Sequence, residues 1–322
     1  MYFFENIKIP EAYETTKNYL MLQPCTNNGI SGPLKNCNCV IYDTCFFAVK
    51  HIKPDGTAGD LLEQETSRLY IADNFRRYKQ IYLLNKELYN NLKTTTGAGT
   101  LCAADVLQLL PYPSFYVDMR QTGETLPSSG ETVAGAFVCL EHAEHPGGNI
   151  DTLRIIIDIS GYYVPVSMPV NTKSTITDIT DFWPDQHQGR SADDIRSLLN
   201  HIIQVILYMC AAGSDVVRVP GTHRKKTGSK AGGNMPKPAR VSQIGYKIGP
   251  VLSKQKKVYE YSPTDSSKED KHGPSKAPHF RAPHWQLYHV GKGRTETVLK
   301  WIDLIFVNGS AGDPDITLHN MR

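Results

Sequence analysis

The chain has 322 residues, of which 40% are hydrophobic and 21% are charged, and its net charge is +3. This length supports one large domain or two ordinary ones, and the composition excludes disorder as the overall state. No apolar run approaches the roughly 18 residues that a membrane helix needs, and we find no basic leader followed by an apolar stretch at the N-terminus. We therefore expect a cytoplasmic protein.

Charge is divided unevenly along the chain. Residues 217–300 hold 18 lysines and arginines against 5 aspartates and glutamates, a net charge of +13. The remaining residues hold 17 against 27, a net charge of −10. An excess of one sign over such a long stretch favours a polyanionic partner. We predict an acidic body over residues 1–216, and a basic C-terminal region with flexible loops over residues 217–322.

In the N-terminal half, apolar spacing predicts mainly helices. We expect a helix over residues 11–22 and a strand over Val40 to Val49. Apolar residues at helical spacing then predict one long helix, or two in succession, from Asp60 to about Lys93. A short helix is expected from Leu101 to Leu110.

The second half is richer in strand patterns. Strand-like runs cover residues 114–119, 133–140 and 153–165, and the β-branched density after Leu153 predicts a central strand buried on both faces. Ser191 begins an amphipathic helix that ends near Gly213. Later strands are expected over residues 256–261, 284–290 and 297–307. Because helices and strands lack a regular βαβ order, we predict an α+β fold with a mixed or antiparallel sheet and long packed helices.

The cysteines and one histidine-rich stretch are the natural places to look for a metal. Cys25, Cys37, Cys39 and Cys45 have eleven, one and five residues between them, which fits no common zinc pattern. We predict small buried or half-exposed thiols near a strand rather than a disulfide framework. His142 and His145, with Glu141 and Glu144, precede Pro-Gly-Gly and are expected in a solvated loop. No metal site is predicted.

The usual enzyme signatures are missing from the sequence. We find no phosphate-binding Walker loop, dinucleotide glycine motif, nucleophile elbow or zinc-protease motif, and we predict no cofactor. Gly291-Lys292-Gly293 lies between two expected strands and predicts a hairpin turn.

The informative stretch begins at Pro278 and contains His279, Arg281, His284 and Trp285. In a strand over 284–290, the period of two places His284 and Tyr288 on one face and Trp285 and His289 on the other. Guanidinium, imidazole and aromatic groups suit RNA contact. Two imidazoles also suit a ribonuclease that works without metal. Alternatively, Trp285 and Trp301 are core anchors of a sheet.

The same stretch resembles the C-terminal signature of the second-named type V-A anti-CRISPR family, found on plasmids and phages. Weaker similarity begins near residue 60, at Ser67-Arg68-Leu69-Tyr70, Arg76, Ile81-Tyr82, Tyr116-Val117-Asp118, Tyr163-Val164-Pro165 and Gln243-Ile244-Gly245. The matched positions of the C-terminal signature are Pro278, His279, Arg281, His284, Trp285, Tyr288, Gly291, Gly293, Trp301, Phe306, Val307 and Asn308.

The resemblance implies an inhibitor of CRISPR-Cas immunity, carried by a mobile genetic element, that acts in the cytoplasm of a bacterial host. Such proteins bind the N-terminal peptide of the type V-A effector nuclease as it emerges from the ribosome, and they cause loss of the translated mRNA. We expect the ribosome or mRNA to be contacted by a surface of the basic region. The candidates for that contact are His279, Arg281, His284, Trp285, Tyr288 and Arg294.

For the peptide, the aromatic residues Tyr70, Tyr78 and Tyr82 are the candidates. Two alternatives stay open: a metal-independent ribonuclease with His279 and His284 as catalytic candidates, and an RNA- or DNA-binding regulator of plasmid or phage origin. These residues are compatible both with cleavage of RNA and with binding alone.

Overall fold

The structure is a computed structural model, and it describes residues 39–52, 59–145, 148–171, 173–181, 191–220, 239–254 and 279–307. Its helices are α1 (Tyr42–Ile52), α2 (Gly59–Tyr78), α3 (Lys86–Leu92), α4 (Ala103–Leu107), α5 (Ile176–Asp181) and α6 (Ala192–Cys210). Its strands are β1 (Gln80–Leu84), β2 (Ser114–Asp118), β3 (Val133–His145), β4 (Gly148–Ile159), β5 (Tyr162–Val170), β6 (Val216–Arg218), β7 (Arg240–Ile244), β8 (His279–Arg281), β9 (His284–Val290), β10 (Glu296–Ile302) and β11 (Ile305–Val307).

Within the described ranges, seven strands form one mixed sheet in the order β5-β4-β3-β2-β1-β7-β6. Strand β1 runs parallel to both of its neighbours, β2 and β7, and the other pairs are antiparallel. The α+β prediction with a mixed sheet is confirmed. The predicted boundary at residues 216/217 falls inside β6, and β7 places residues of the basic region in the same sheet.

Helices cover both faces of this sheet. On one face, α3, α4 and α6 pack against a large apolar cluster that includes Ile155 and Ile157 of β4. On the other face, α1 and α2 pack against a smaller cluster that includes Ile156. Strand β4 is therefore buried on both sides, as the sequence predicted.

Of the two alternatives predicted for Asp60 to Lys93, one long helix is wrong. The stretch holds two helices in succession, α2 and α3, but strand β1 lies between them and was not predicted. The chain leaves α2 after Tyr78, and Lys79 has a φ of 52°. Residues 80–84 then form β1, because that apolar run pairs with β2 on one side and with β7 on the other. Asn85 starts α3 by accepting hydrogen bonds from the backbone N–H groups of Glu87 and Leu88.

The predicted strand from Val40 to Val49 is also wrong, because most of it is helix α1. Its buried residues, Tyr42, Cys45, Ala48 and Val49, recur at helical spacing, and Tyr42 and Cys45 pack in the apolar cluster on the sheet. The expected strand over 153–165 is two strands joined by a turn at Ser160 and Gly161. Strand 297–307 is likewise divided into β10 and β11, and helix 101–110 is reduced to α4. The expected elements over 11–22 and 256–261 lie outside the described residues.

Strand β5 forms one edge of the sheet, and its sequence and neighbours protect it. Pro165 and Pro169 have no N–H group, so they cannot donate to an added strand. Gln64 of α2 pairs with both backbone groups of Tyr163: its Nε2 donates to the carbonyl at 2.6 Å, and its Oε1 accepts from the N–H at 2.7 Å. This side chain replaces a neighbouring strand at that position.

In the part of the chain that is described, no helix is long and apolar enough to cross a membrane.

Candidate functional site

Strands β9 and β10 form an antiparallel hairpin, which we call the C-terminal ribbon. The predicted turn at Gly291-Lys292-Gly293 is confirmed: Gly291 and Gly293 have φ values of 82° and 81°, a region that favours glycine. Arg294, at φ 56°, completes the turn. The short strands β8 and β11 pair next to the ribbon.

The ribbon has two chemically different faces. Pairing places Trp285 opposite Trp301 and Leu287 opposite Leu299 on the inner face, where Trp285 and Leu299 are buried. The outer face carries His284, Gln286, Tyr288 and Val290 of β9 and Glu296, Val298, Lys300 and Ile302 of β10. The predicted alternation of faces along 284–290 is confirmed.

The two indoles hold the inner face on the body. Trp285 Nε1 donates a hydrogen bond of 2.6 Å to Gln204 Oε1 on α6. Trp301 Nε1 donates one of 3.1 Å to Thr95 Oγ1, and its ring packs edge-on against Tyr208, with centroids 5.6 Å apart. The interpretation of the tryptophans as core anchors therefore describes their environment.

Backbone hydrogen bonds fix both edges of the ribbon. The N–H of Trp285 donates to the carbonyl of Thr96 at 2.9 Å, and the N–H of Thr96 donates to the carbonyl of Pro283 at 3.0 Å. On the other strand, the N–H of Ala212 donates to the carbonyl of Leu299 at 2.7 Å. These bonds hold the ribbon at residues 283–285 and at Leu299, and its outer face is directed away from the body.

The outer face combines an aromatic ring with positive charge. Tyr288 is 36% exposed, and Lys300 Nζ lies 5.3 Å from the centre of its ring. His284 Nδ1 lies 3.2 Å from the carbonyl oxygen of Ala282.

Most of the charge in and beside the ribbon is positive. Over residues 279–307 the cationic side chains are Arg281, Lys292, Arg294 and Lys300, against the carboxylates of Glu296 and Asp303. Burial raises the pKa of Asp303. This part of the surface is therefore positively charged.

The predicted RNA-contact residues do not all lie on the same face of the ribbon. His284 and Tyr288 share the outer face, and Arg281 and Arg294 are exposed beside it. Trp285 lies on the inner face with only 4% of its surface exposed, so we leave it out of the contact surface. His279 is in β8, opposite Val307.

The three tyrosines predicted to bind a peptide do not lie together. Tyr70 is fully buried on the α1/α2 side of the sheet, edge-on to Tyr42 and Phe137. Tyr82 is in β1 and is buried against Phe115 on the opposite side. Because Tyr70 and Tyr82 are buried on opposite faces of the sheet, they cannot line one groove. Tyr78, at the end of α2, is only partly buried.

The expectation of a solvated loop around His142 is wrong. Glu141 and His142 lie in β3 and are 2% and 3% exposed. Glu141 pairs with Arg154, and His142 Nδ1 contacts a carboxylate oxygen of Asp151; both partners lie on the neighbouring strand β4. Among the residues that the structure describes, no group of three or more His, Cys, Asp or Glu side chains is placed to hold a metal ion.

The cysteine prediction is only partly right. Cys45 and Cys210 are buried thiols, and burial raises the pKa of both. Cys39 is disulfide-bonded, so the expectation of thiols fails there. Cys25 and Cys37 lie outside the described residues.

Sequence reasoning missed three residues of the ribbon and its support. Lys300 and Gln286 could have been found, because counting back from the Gly291 turn places Lys300 opposite Gln286. Gln204 could not, because nothing in the helical pattern of α6 marks it as the partner of a tryptophan 81 residues away.

The arrangement defines an α+β protein with a mixed sheet and a docked, positively charged ribbon, and this fold is known. It resembles the crystal structure of AcrVA2, with a TM-score of 0.58 and 18% sequence identity over 92% of this chain and 93% of that chain. At this identity, the similarity shows the fold alone.

The family is shown by a separate comparison. The model of the AcrVA2-like family, the anti-CRISPR type V subtype A2 family, matches residues 82–309, which is more than half of the chain. The chain therefore belongs to this family of anti-CRISPR proteins, and the resemblance of the C-terminal motif is confirmed. No curated protein sequence matches it significantly.

Proposed function

We propose that this anti-CRISPR protein suppresses production of the type V-A effector nuclease. In this proposal, the acidic body captures the effector's N-terminal peptide as it leaves the ribosome. The basic C-terminal region contacts the translating ribosome or its message, and the message is then lost. The nascent peptide supplies specificity, since RNA contact through charge alone does not distinguish one message from another.

The outer face of the C-terminal ribbon carries the proposal. Arg281, His284, Tyr288 and Lys300 are presented on or beside a hairpin whose inner face is held by the body. Ribosomes and messages are polyanions, and cationic and aromatic side chains on a strand surface suit them. Of the three tyrosine candidates for the peptide, Tyr78 alone keeps exposed surface in the structure.

Two measurements on one variant test the two halves of the proposal. Arg281→Ala with His284→Ala should leave binding of a synthetic effector N-terminal peptide unchanged. In cells, the same variant should no longer shorten the half-life of a reporter message that begins with the effector's N-terminal codons. Lys50→Gln, an exposed cation on α1, is the matched control and should behave as wild type.

If the double variant still shortens the half-life of the message, the role given to the ribbon is wrong. If the wild-type protein does not bind the peptide in preference to a scrambled one, peptide capture is wrong.

A second candidate function, cleavage of RNA by the protein itself, rests on His284. Its Nδ1 lies beside the carbonyl of Ala282, which can only accept a hydrogen bond, so in a neutral ring Nδ1 carries the proton and Nε2 is the acceptor; the residue is partly exposed. Incubating purified protein with bare RNA tests this function. Cleavage that is lost in His284→Ala would support it, and intact RNA would exclude it.

A further inference from the structure

We propose that the outer face of the C-terminal ribbon binds single-stranded RNA, with Tyr288 as the stacking platform for an unpaired base and Lys300 as a phosphate contact. This inference deepens the proposed function and rests on it, since that function requires contact with the translating complex. It names RNA, rather than a ribosomal protein, as the ligand of the surface.

The ring of Tyr288 is suited to stacking on a base because contact with a neighbouring lysine already fixes its orientation. Lys300 Nζ lies 5.3 Å from the ring centre, within the range of a cation–π contact, and holds the ring against the ribbon. Tyr288 nevertheless keeps 36% of its surface exposed. A base stacked on the exposed surface of Tyr288 would place the phosphate of its nucleotide near Lys300.

The neighbours of Tyr288 extend this platform along the strand. Residues of one face of a strand recur at about 6.8 Å, two residues apart. Gln286 and His284 therefore follow Tyr288 at regular intervals on the outer face, and both carry groups that can hydrogen-bond a base edge. Sheets that bind RNA use aromatic residues on their strands in this manner.

The flat ring selects unpaired over paired bases. In an A-form duplex the bases are stacked on one another, and the deep major groove is too narrow for side chains to read. Tyr288 could reach the face of a base only where the strand is single or splayed. Positive charge from Lys300, with Arg281 beside the ribbon, would bind both forms, so the ring provides the preference.

The ribbon needs little ordering to bind. Its inner face is fixed by the bonds of Trp285 and Trp301 and its edges by backbone bonds to Thr96 and Ala212. A surface that is already ordered loses less conformational entropy when it binds.

Fluorescence anisotropy with a labelled 12-nucleotide RNA of non-self-complementary sequence tests the proposal. Wild-type protein should bind the free strand more tightly than the same strand in a duplex. Tyr288→Leu keeps an apolar side chain but no flat ring, and it should weaken binding roughly 5- to 150-fold, the range for one lost base–aromatic stack. Tyr288→Phe should bind as wild type does. Lys300→Gln should reduce the salt dependence by about 0.7 in slope, as for one phosphate contact on a single strand.

Phe46→Ala and Lys50→Gln are the matched controls. Phe46 is 40% exposed on α1, across the sheet from the ribbon, and neither change should alter RNA binding. Circular dichroism should show that all of the variants are folded. Equal affinity for duplex, or a Tyr288→Leu variant that binds like wild type, would overturn the proposal.

The outcomes separate this inference from the proposed function. If Tyr288→Leu abolishes message loss in cells while the wild-type protein binds no RNA, the surface contacts a protein; the inference then fails and the proposed function stands. If Tyr288→Leu loses RNA binding while message loss continues, the inference stands and the ribbon's role in silencing fails.

Discussion

The indole Nε1 of Trp285 donates a hydrogen bond of 2.6 Å to Oε1 of Gln204, joining the C-terminal ribbon to helix α6. Trp285 belongs to the most specific motif of the sequence, yet its ring is buried. The tryptophan therefore secures the ribbon, and contact with a partner falls to its neighbours on the outer face, His284 and Tyr288.

Trp285→Phe should lower the free energy of unfolding by about 1–3 kcal/mol, because it leaves the carbonyl oxygen of Gln204 without its donor. Trp285→Ala should cost about 3–5 kcal/mol, because it also opens a cavity. Urea unfolding measures both changes. Tyr288→Phe, on the outer face of the same strand, is the control and should change stability by less than about 0.5 kcal/mol. A Trp285→Phe variant as stable as wild type would contradict the anchoring role.

Gln64→Ala should lower the free energy of unfolding by about 1–3 kcal/mol, because both backbone groups of Tyr163 lose their partners. The freed edge of β5 should also increase self-association. Urea unfolding and concentration-dependent light scattering measure the two effects. Leu61→Ala, at an exposed position of the same helix, is the control. If Gln64→Ala is as stable and as monodisperse as that control, the protective role of Gln64 is excluded.

The buried pair Glu141 and Arg154 should show strong coupling. Arg154 Nε lies 3.5 Å from Glu141 Oε1 and its guanidinium lies 4.3 Å from the ring centre of Tyr42. Burial raises the pKa of Glu141, and the positive charge of Arg154 opposes that rise. Glu141→Met alone should cost about 3–5 kcal/mol, because it leaves an uncompensated buried charge.

The double change Glu141→Met with Arg154→Met should cost less than the sum of the two single changes, since no charge is then left unpaired. A double-mutant cycle by urea unfolding measures the difference. Additive effects would mean that the two side chains do not interact.

Glu124 should make stability depend on pH in the acid range. Burial raises the pKa of this carboxyl, but hydrogen bonds from His201 and Lys93 outweigh burial and lower it to about 2. A lowered carboxyl pKa stabilises the folded state above the unfolded pKa of 4.5, and this contribution is lost as the pH falls from 4.5 towards 2. We expect a loss on the order of 1–2 kcal/mol over that interval, reduced by solvent screening.

Urea unfolding at pH 6 and pH 3 measures this loss. Glu124→Gln should be less stable than wild type at pH 6 and should lose less stability on acidification. An unchanged pH dependence in Glu124→Gln would exclude Glu124 as its source.

Local patterns predicted those parts of the fold whose partners are close in sequence. Helix α6 followed from apolar spacing after Ser191, and strand β9 followed from alternation before a glycine turn. Strand β1 was missed because its apolar run also fits a helix. Its pairing with β7, about 160 residues later, decides the conformation.

The same limit applies to the candidate site. Alternation predicted that Trp285 and Tyr288 lie on opposite faces of the ribbon, but it does not say which face packs on the body. That depends on Gln204 and Thr95, which come from distant segments and have no distinguishing pattern. The tyrosines Tyr70 and Tyr82 were misplaced for a related reason: a helical pattern across Lys79 put both in the helical stretch predicted from Asp60 to Lys93.

A reporter experiment tests the central claim, that the nascent peptide selects the message. The effector's N-terminal peptide is encoded before a reporter by two codon sets that differ at as many positions as the code allows. A third reporter carries one of these RNA sequences in a shifted reading frame. We predict that both synonymous messages are lost when the protein is expressed and that the frame-shifted message is stable. Loss of the frame-shifted message, or of only one synonymous message, would contradict the account, because selection would then follow the nucleotide sequence.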